Sequence, residues 1–62
     1  MKTREVIRQI VDAGWHLVRT TGSHRIYKHP SKPDSIIIPM HGMNRDIGPR
    51  TAHSILKKAG LR

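Results

Sequence analysis

The fold is decided by a hairpin in residues 14–29, which read GWHLVRTTGSHRIYKH. Residues 15–20 are rich in aromatic and β-branched side chains and are bounded by glycines, so they predict a first strand. Thr21-Gly22-Ser23 predicts a tight turn. Residues 24–29 then predict a second strand, which pairs antiparallel with the first because the connection is so short.

The alternation of side chains in the second strand leaves its orientation open. Regular geometry puts His24, Ile26 and Lys28 on one face and the residues between them on the other, and neither set is cleanly apolar. We therefore expect a bulge or a late start in this strand. The face that His24 takes is not decided by the sequence.

A helix is predicted on each side of the sheet segment. Before the hairpin, an apolar stripe predicts a helix over residues 4–13, which Thr3 caps with its hydroxyl and Gly14 ends in a left-handed conformation. A second helix begins at Pro49, since the first helical position tolerates a missing N–H, and stops at Gly60.

A third strand over residues 35–38 lies between two loops, at residues 30–34 and 39–48. The order is therefore α-β-β-β-α in a single domain, 1–62. We expect an α+β fold, with a three-stranded antiparallel sheet and both helices covering one of its faces.

Charge is the strongest compositional signal. Twelve Lys and Arg residues against four acidic ones give a net charge of +8 on 62 residues. This balance favours a polyanionic partner, and RNA suits it better than a membrane surface, because binding to a membrane requires a longer basic amphipathic helix.

The N-terminus does not resemble a signal peptide, no stretch is long enough to span a membrane, and there are no cysteines, so we expect a cytoplasmic protein.

Several kinds of catalytic site are disfavoured. The four carboxylates, Glu5, Asp12, Asp34 and Asp46, are scattered, so paired-carboxylate and two-metal hydrolysis are not expected. The five glycines fall at element ends and form no phosphate-binding loop. The five histidines lack metal-ligand spacing, so we expect no dedicated metal site. Trp15 and Tyr27, the only aromatic residues of the Phe, Tyr and Trp class, are expected in the core rather than stacked on bases.

His24 stands out among the histidines because it follows a glycine turn at the head of a strand. Imidazole titrates near neutral pH and can exchange a proton during phosphodiester cleavage. RNA carries its own nucleophile, the 2′-hydroxyl, so no metal is required. Cations around the hairpin could offset phosphate charge: Arg19, Arg25 and Lys28. From these residues alone, an ordinary surface histidine is the simpler interpretation.

The order of motifs resembles the HicA (YcfA-like) family of toxin–antitoxin mRNA interferases over nearly the whole chain. The matching residues are Ala13-Gly14-Trp15, Val18-Arg19, Gly22-Ser23-His24, Tyr27-Lys28-His29-Pro30, Ile38-Pro39 with His41, Ile47 with Gly48-Pro49 and Thr51, and Ser54 to Leu61. Gly48-Pro49-Arg50 departs from the family, which often has a lysine or glycine pattern before the threonine; this bears only on the start of the second helix.

The resemblance implies a double-stranded-RNA-binding-like fold and an endoribonuclease that cleaves mRNA with a single catalytic histidine, which maps onto His24. Gly22 would shape the turn before it, and we expect five residues near His24 to bind RNA: Arg19, Gly22, Ser23, Arg25 and Lys28. The resemblance also implies neutralisation by a HicB-type antitoxin and implies no metal or cofactor, and we expect a monomer when free.

Three other functions stay open. A non-catalytic RNA-binding module of the same fold would use the same basic surface, with His24 only hydrogen-bonding the RNA. A DNA-binding protein is disfavoured because the helices do not follow one another in helix-turn-helix order. A pure interaction protein would direct its charge toward an acidic partner.

Overall fold

A computed structural model describes residues 1–42 and 44–61 of the chain. Met43, inside the predicted loop at 39–48, and Arg62, the last residue of the predicted domain, lie outside the described residues. The elements are α1 (Thr3–Asp12), β1 (His16–Thr21), β2 (His24–Lys28), β3 (Ile36–Pro39) and α2 (Pro49–Lys58). The predicted order α-β-β-β-α is confirmed, with boundaries displaced by a residue or two.

Both helices end in the same glycine-dependent motif. Gly14 has a φ of +102°, and the N–H groups of Gly14 and Trp15 donate to the carbonyls of Val11 and Ile10. In α2, Gly60 has a φ of +84°, and Gly60 and its successor bond back to the last turn in the same way. In each helix this pair of hydrogen bonds satisfies two carbonyl groups of the last turn that would otherwise have no partner within the helix. The predicted ends of both helices are confirmed.

The start of α1 differs from the prediction. The N-cap position is Lys2, and Thr3 lies inside the helix with only 2% of its surface exposed. Its hydroxyl donates to the carbonyl of Arg45 at 3.0 Å, and its backbone N–H donates to the same oxygen at 2.9 Å. The capping role predicted for Thr3 is wrong, because its partner is a carbonyl 42 residues away and the side chain ties the long loop to the helix.

The sheet has the strand order β1-β2-β3, and both pairings are antiparallel. β2 is regular from its first residue: its register against β3 runs without a break from His24–Pro39 to Tyr27–Ile36. The irregularity lies in β1, where the register shifts between Leu17 and Arg19. The bulge or late start expected in the second strand is therefore wrong, and the extra residue is Val18 of the first.

The hydrophobic core lies between the helices and one face of the sheet. Tyr27, Ile36 and Ile38 point from the sheet into a cluster with the buried faces of both helices, and Trp15 joins them just ahead of β1. Trp15 is 1% exposed, and its indole N–H donates to the carbonyl of Ala59 at 3.4 Å. The prediction that both helices cover one face is confirmed, and so is the core position of both aromatic residues. Residues 1–42 and 44–61 leave the opposite face uncovered.

Candidate active site on the open face of the sheet

His24 is the first residue of β2, directly after a two-residue turn. Thr21 pairs with His24 across the turn, so Gly22 and Ser23 alone form the loop. Gly22 has a φ of +54° while Ser23 keeps a negative φ, which is the pattern of a turn that needs glycine at its first central position. This turn brings the chain into β2 with His24 already in strand geometry.

The backbone of His24 is held from both sides. β1 contributes Thr21 as its partner and β3 contributes Pro39, and the N–H of Met40 donates to the carbonyl of Ser23 next to it. The side chain of His24 is nevertheless exposed. An exposed imidazole on a fixed central strand can meet a bound substrate in one defined position.

The register decides the face that the sequence left open. Residues paired across strands share a face, and Ile36, Ile38 and the Tyr27 partner of Ile36 are buried in the core. His24, paired with Pro39, therefore points away from the helices. We call this side the open face; its residues are His16, Arg19 and Thr21 of β1, His24, Ile26 and Lys28 of β2, and Ile37 and Pro39 of β3.

The bulge at Val18 places Arg19 on the open face. Leu17 pairs with Tyr27 on the core side, so regular alternation from that rung would pair Arg19 with Arg25 and turn it toward the helices. One extra residue instead pairs Arg19 with Ile26. Arg19 becomes the diagonal neighbour of His24, a relationship that puts Cα atoms about 7–8 Å apart.

The other predicted RNA-contacting residues divide between the two faces. Lys28 shares the open face with His24 but lies four residues along the strand, about 13 Å away. Arg25 pairs with the fully buried Ile38 and lies on the helix side, half-exposed at the margin of the core. Gly22 and Ser23 form the turn at the edge of the open face. The structure therefore brings Arg19 and the turn to His24 and leaves Arg25 on the other side.

Acidic side chains are absent from the open face as far as residues 1–42 and 44–61 show. Within the same described residues, no three His, Cys, Asp or Glu side chains converge where they could hold a metal ion. The polar side chains that share the open face next to His24 are thus the guanidinium of Arg19 and the hydroxyl of Thr21. These groups can donate hydrogen bonds to an anion and neutralise its charge.

Comparison with known proteins gives the family. Residues 3–61 match the family model described as "HicA toxin of bacterial toxin-antitoxin". The chain belongs to the HicA toxin family. A comparison with curated proteins found no match. In the described part of this HicA-family chain, no helix is long and apolar enough to cross a membrane.

His29 also belongs to the residues that resemble the HicA family, and its side chain has a structural role. Its Nδ1 accepts the N–H of Ser31 at 3.0 Å, which puts the ring proton on Nε2, and Nε2 donates to the carbonyl of Ala13 at 3.0 Å. The ring also meets the indole of Trp15 edge-on, at 5.4 Å between centroids. Nothing in the local sequence indicates that Ala13 lies beside His29, so this position could not be predicted from the sequence.

Proposed function

We propose that this toxin is an endoribonuclease that cuts mRNA, and that His24 moves the proton on which cleavage depends. The observation that carries the proposal is the placement of His24: exposed on the open face, fixed by strands on both sides, with Arg19 as its diagonal neighbour. Membership of a toxin family supports a harmful activity, and RNA cleavage is one that this small set of groups can perform.

The chemistry uses the substrate's own nucleophile. The 2′-hydroxyl of RNA attacks the adjacent phosphorus, the bond from phosphorus to the 5′-oxygen breaks, and the products are a 2′,3′-cyclic phosphate and a 5′-hydroxyl. His24 exchanges one of the two protons, accepting it from the 2′-hydroxyl or donating it to the departing 5′-oxygen, and solvent water exchanges the other. Arg19 offsets the negative charge that grows on the phosphoryl oxygens in the transition state. Atoms and charge balance without a metal ion or a second substrate.

RNA recognition should depend mainly on charge and shape. The chain carries a net charge of +8, and its Trp and Tyr side chains are buried, so they do not offer stacking surfaces to bases. Binding through the sugar–phosphate backbone predicts weak sequence preference.

The family relationship also implies an antitoxin partner. We propose a HicB-type antitoxin that covers His24, so that its addition stops cleavage and protects His24 from modification by diethyl pyrocarbonate.

The decisive experiment replaces the histidine. His24→Ala should lower the cleavage rate by about 10²–10⁴-fold and abolish growth inhibition, while RNA affinity and thermal unfolding change little. His53→Ala, an exposed histidine on α2, is the matched control and should cleave normally. Wild-type cleavage by the His24→Ala protein would refute the catalytic assignment.

The substrate provides an independent control. An RNA with 2′-O-methyl groups at every position should bind but resist cleavage, because its nucleophile is blocked. If wild-type protein bound both RNAs and cut neither, the chain would be a non-catalytic RNA-binding module of the same fold.

A further inference from the structure

The two edges of the sheet are not equivalent. β1 is interrupted by the bulge at Val18, a feature that disturbs pairing with another strand. β3 is an uninterrupted edge with three successive isoleucines, residues 36–38, and the described part of the chain pairs with it on the β2 side alone. Of the two edges, β3 is therefore the one suited to receive another strand.

The hydrogen-bond pattern identifies which groups this edge presents. The N–H of Met40 donates to the carbonyl of Ser23, so bonded rungs recur at every second residue of β3, at Ile38 and Ile36. The N–H and C=O of Ile37 therefore point away from β2, at the free edge. An added strand could bond to both of these groups and to the carbonyl of Pro39.

A groove lies between this edge and α2. It encloses about 410 Å³ and is lined by Ile36, Ile37, Arg50, Thr51, Ser54, Ile55 and Lys58. Its floor is apolar where Ile36 and Ile55 are buried. Arg50 and Lys58 are exposed cations eight residues apart on α2, about 12 Å along the helix axis. In an extended peptide, side chains four residues apart point the same way and are about 13 Å apart.

We propose that the groove between β3 and α2 binds an extended acidic peptide segment of a partner protein, which adds to the sheet as a fourth strand beside β3. The backbone of the segment bonds to Ile37, and two of its carboxylates meet Arg50 and Lys58. A peptide fits better than RNA, because the edge offers alternating N–H and C=O groups. A second copy of this chain fits poorly, because it would bring its own +8 charge to the groove. The inference does not depend on cleavage by His24.

The test uses the full chain and a synthetic probe. The probe is a capped seven-residue peptide that alternates glutamate with valine, added to ¹⁵N-labelled protein and followed by NMR. Saturable shifts should centre on β3 and α2, and the amide of Ile37 should gain protection from hydrogen exchange. A lysine–valine peptide of the same length should not bind. Absence of saturable shifts with millimolar glutamate–valine peptide would overturn the proposal, and so would shifts confined to other elements.

Two variants examine the charges and the edge separately. Arg50→Glu with Lys58→Glu should weaken binding at least tenfold, whereas Arg4→Glu with Arg8→Glu, the same charge change on exposed positions of α1, should weaken it less than threefold. Ile37→Pro removes the backbone N–H that Ile37 presents at the free edge but leaves the backbone hydrogen bonds between β3 and β2, so it should abolish peptide binding. If that variant does not fold, a probe N-methylated at its valines tests the same bonds and should not bind.

Competition distinguishes the other possible occupants. A short oligouridylate should leave the peptide in place; if it displaced the peptide and shifted the same residues, the groove would be an RNA site and the proposal would be wrong. Sedimentation of the free protein should give a monomer at the concentration used for NMR. A dimer whose Ile37 amide is protected without peptide would assign the edge to a second copy instead.

Discussion

Gly14 lies so close to His29 that a Cβ atom on Gly14 would be 2.7 Å from Nε2 of the imidazole. The same imidazole is held in place by Ala13, Ser31 and the edge-on contact with Trp15. The end of α1 and the loop after β2 are therefore packed through one ring. Glycine is required here twice over, for its φ of +102° and for the space it leaves.

Gly14→Ala should therefore cost more stability than Gly22→Ala. Both positions have positive φ, which costs an L-residue about 1–2 kcal/mol, but a Cβ on Gly22 meets no atom within 4 Å. Gly14→Ala must also displace His29 and weaken its hydrogen bonds, worth about 1 kcal/mol each. Urea unfolding should show a free-energy loss at Gly14 that exceeds the loss at Gly22 by at least about 1 kcal/mol.

A double-mutant cycle tests whether His29 causes the larger loss of unfolding free energy at Gly14. In a His29→Ala background the space beside Gly14 is empty, so Gly14→Ala should cost only as much as Gly22→Ala does. An unchanged cost of Gly14→Ala in that background would show that the contact with His29 carries none of the effect.

The hydroxyl of Thr3 should stabilise the loop through Arg45. Thr3→Val keeps the side-chain shape but removes the hydrogen bond to the carbonyl of Arg45, and we expect a loss of about 1 kcal/mol in the free energy of unfolding. Thr51→Val, the same change at an exposed position of α2, should alter it by less than about 0.5 kcal/mol. Equal losses at the two positions would mean that the bond to Arg45 contributes nothing.

These positions explain how much of the fold was predictable. Gly14, Pro49 and Gly60 define helix ends through their own backbone preferences, so the helices follow from local sequence. Thr3 was misassigned because its partner, Arg45, is distant in the chain. Local sequence cannot indicate whether a hydroxyl will accept from an N–H of its own helix or donate to a distant carbonyl.

The candidate site was predictable in its residue but not in its geometry. A histidine after a glycine turn is visible in the sequence, and the family resemblance selects His24. Its face depends on the register of three strands, and the bulge at Val18 shifts that register within the first strand. Mixed apolar and basic residues on both faces of the hairpin gave no pattern from which that register could be calculated.

Affinity for RNA should fall steeply with salt. If binding neutralises about five phosphates of a single strand, raising the salt concentration from 50 to 200 mM should weaken it about a hundredfold. Fluorescence anisotropy with a labelled 2′-O-methyl RNA measures this without cleavage. Lys28→Ala should reduce the slope of the logarithmic salt plot by about 0.7, the value for one lost phosphate contact. Affinity that stays flat over this range would mean that the net charge of +8 does not serve RNA binding.

Arg19 and Arg25 offer the sharpest test of the site, because they carry the same charge on opposite faces of the sheet. Arg19 shares the open face with His24, whereas Arg25 pairs with the buried Ile38 on the helix side. Since Arg19 acts on charge in the transition state, Arg19→Ala should lower kcat/KM for RNA cleavage by roughly 10²-fold. Arg25→Ala removes the same charge but should lower kcat/KM less than about threefold, because only general attraction to the polyanion is lost. Single-turnover cleavage at saturating protein separates the two effects, since general attraction acts on binding and not on the chemical step. Equal losses in the single-turnover rate would mean that the face of the sheet does not matter, and the site built around His24 and Arg19 would be wrong.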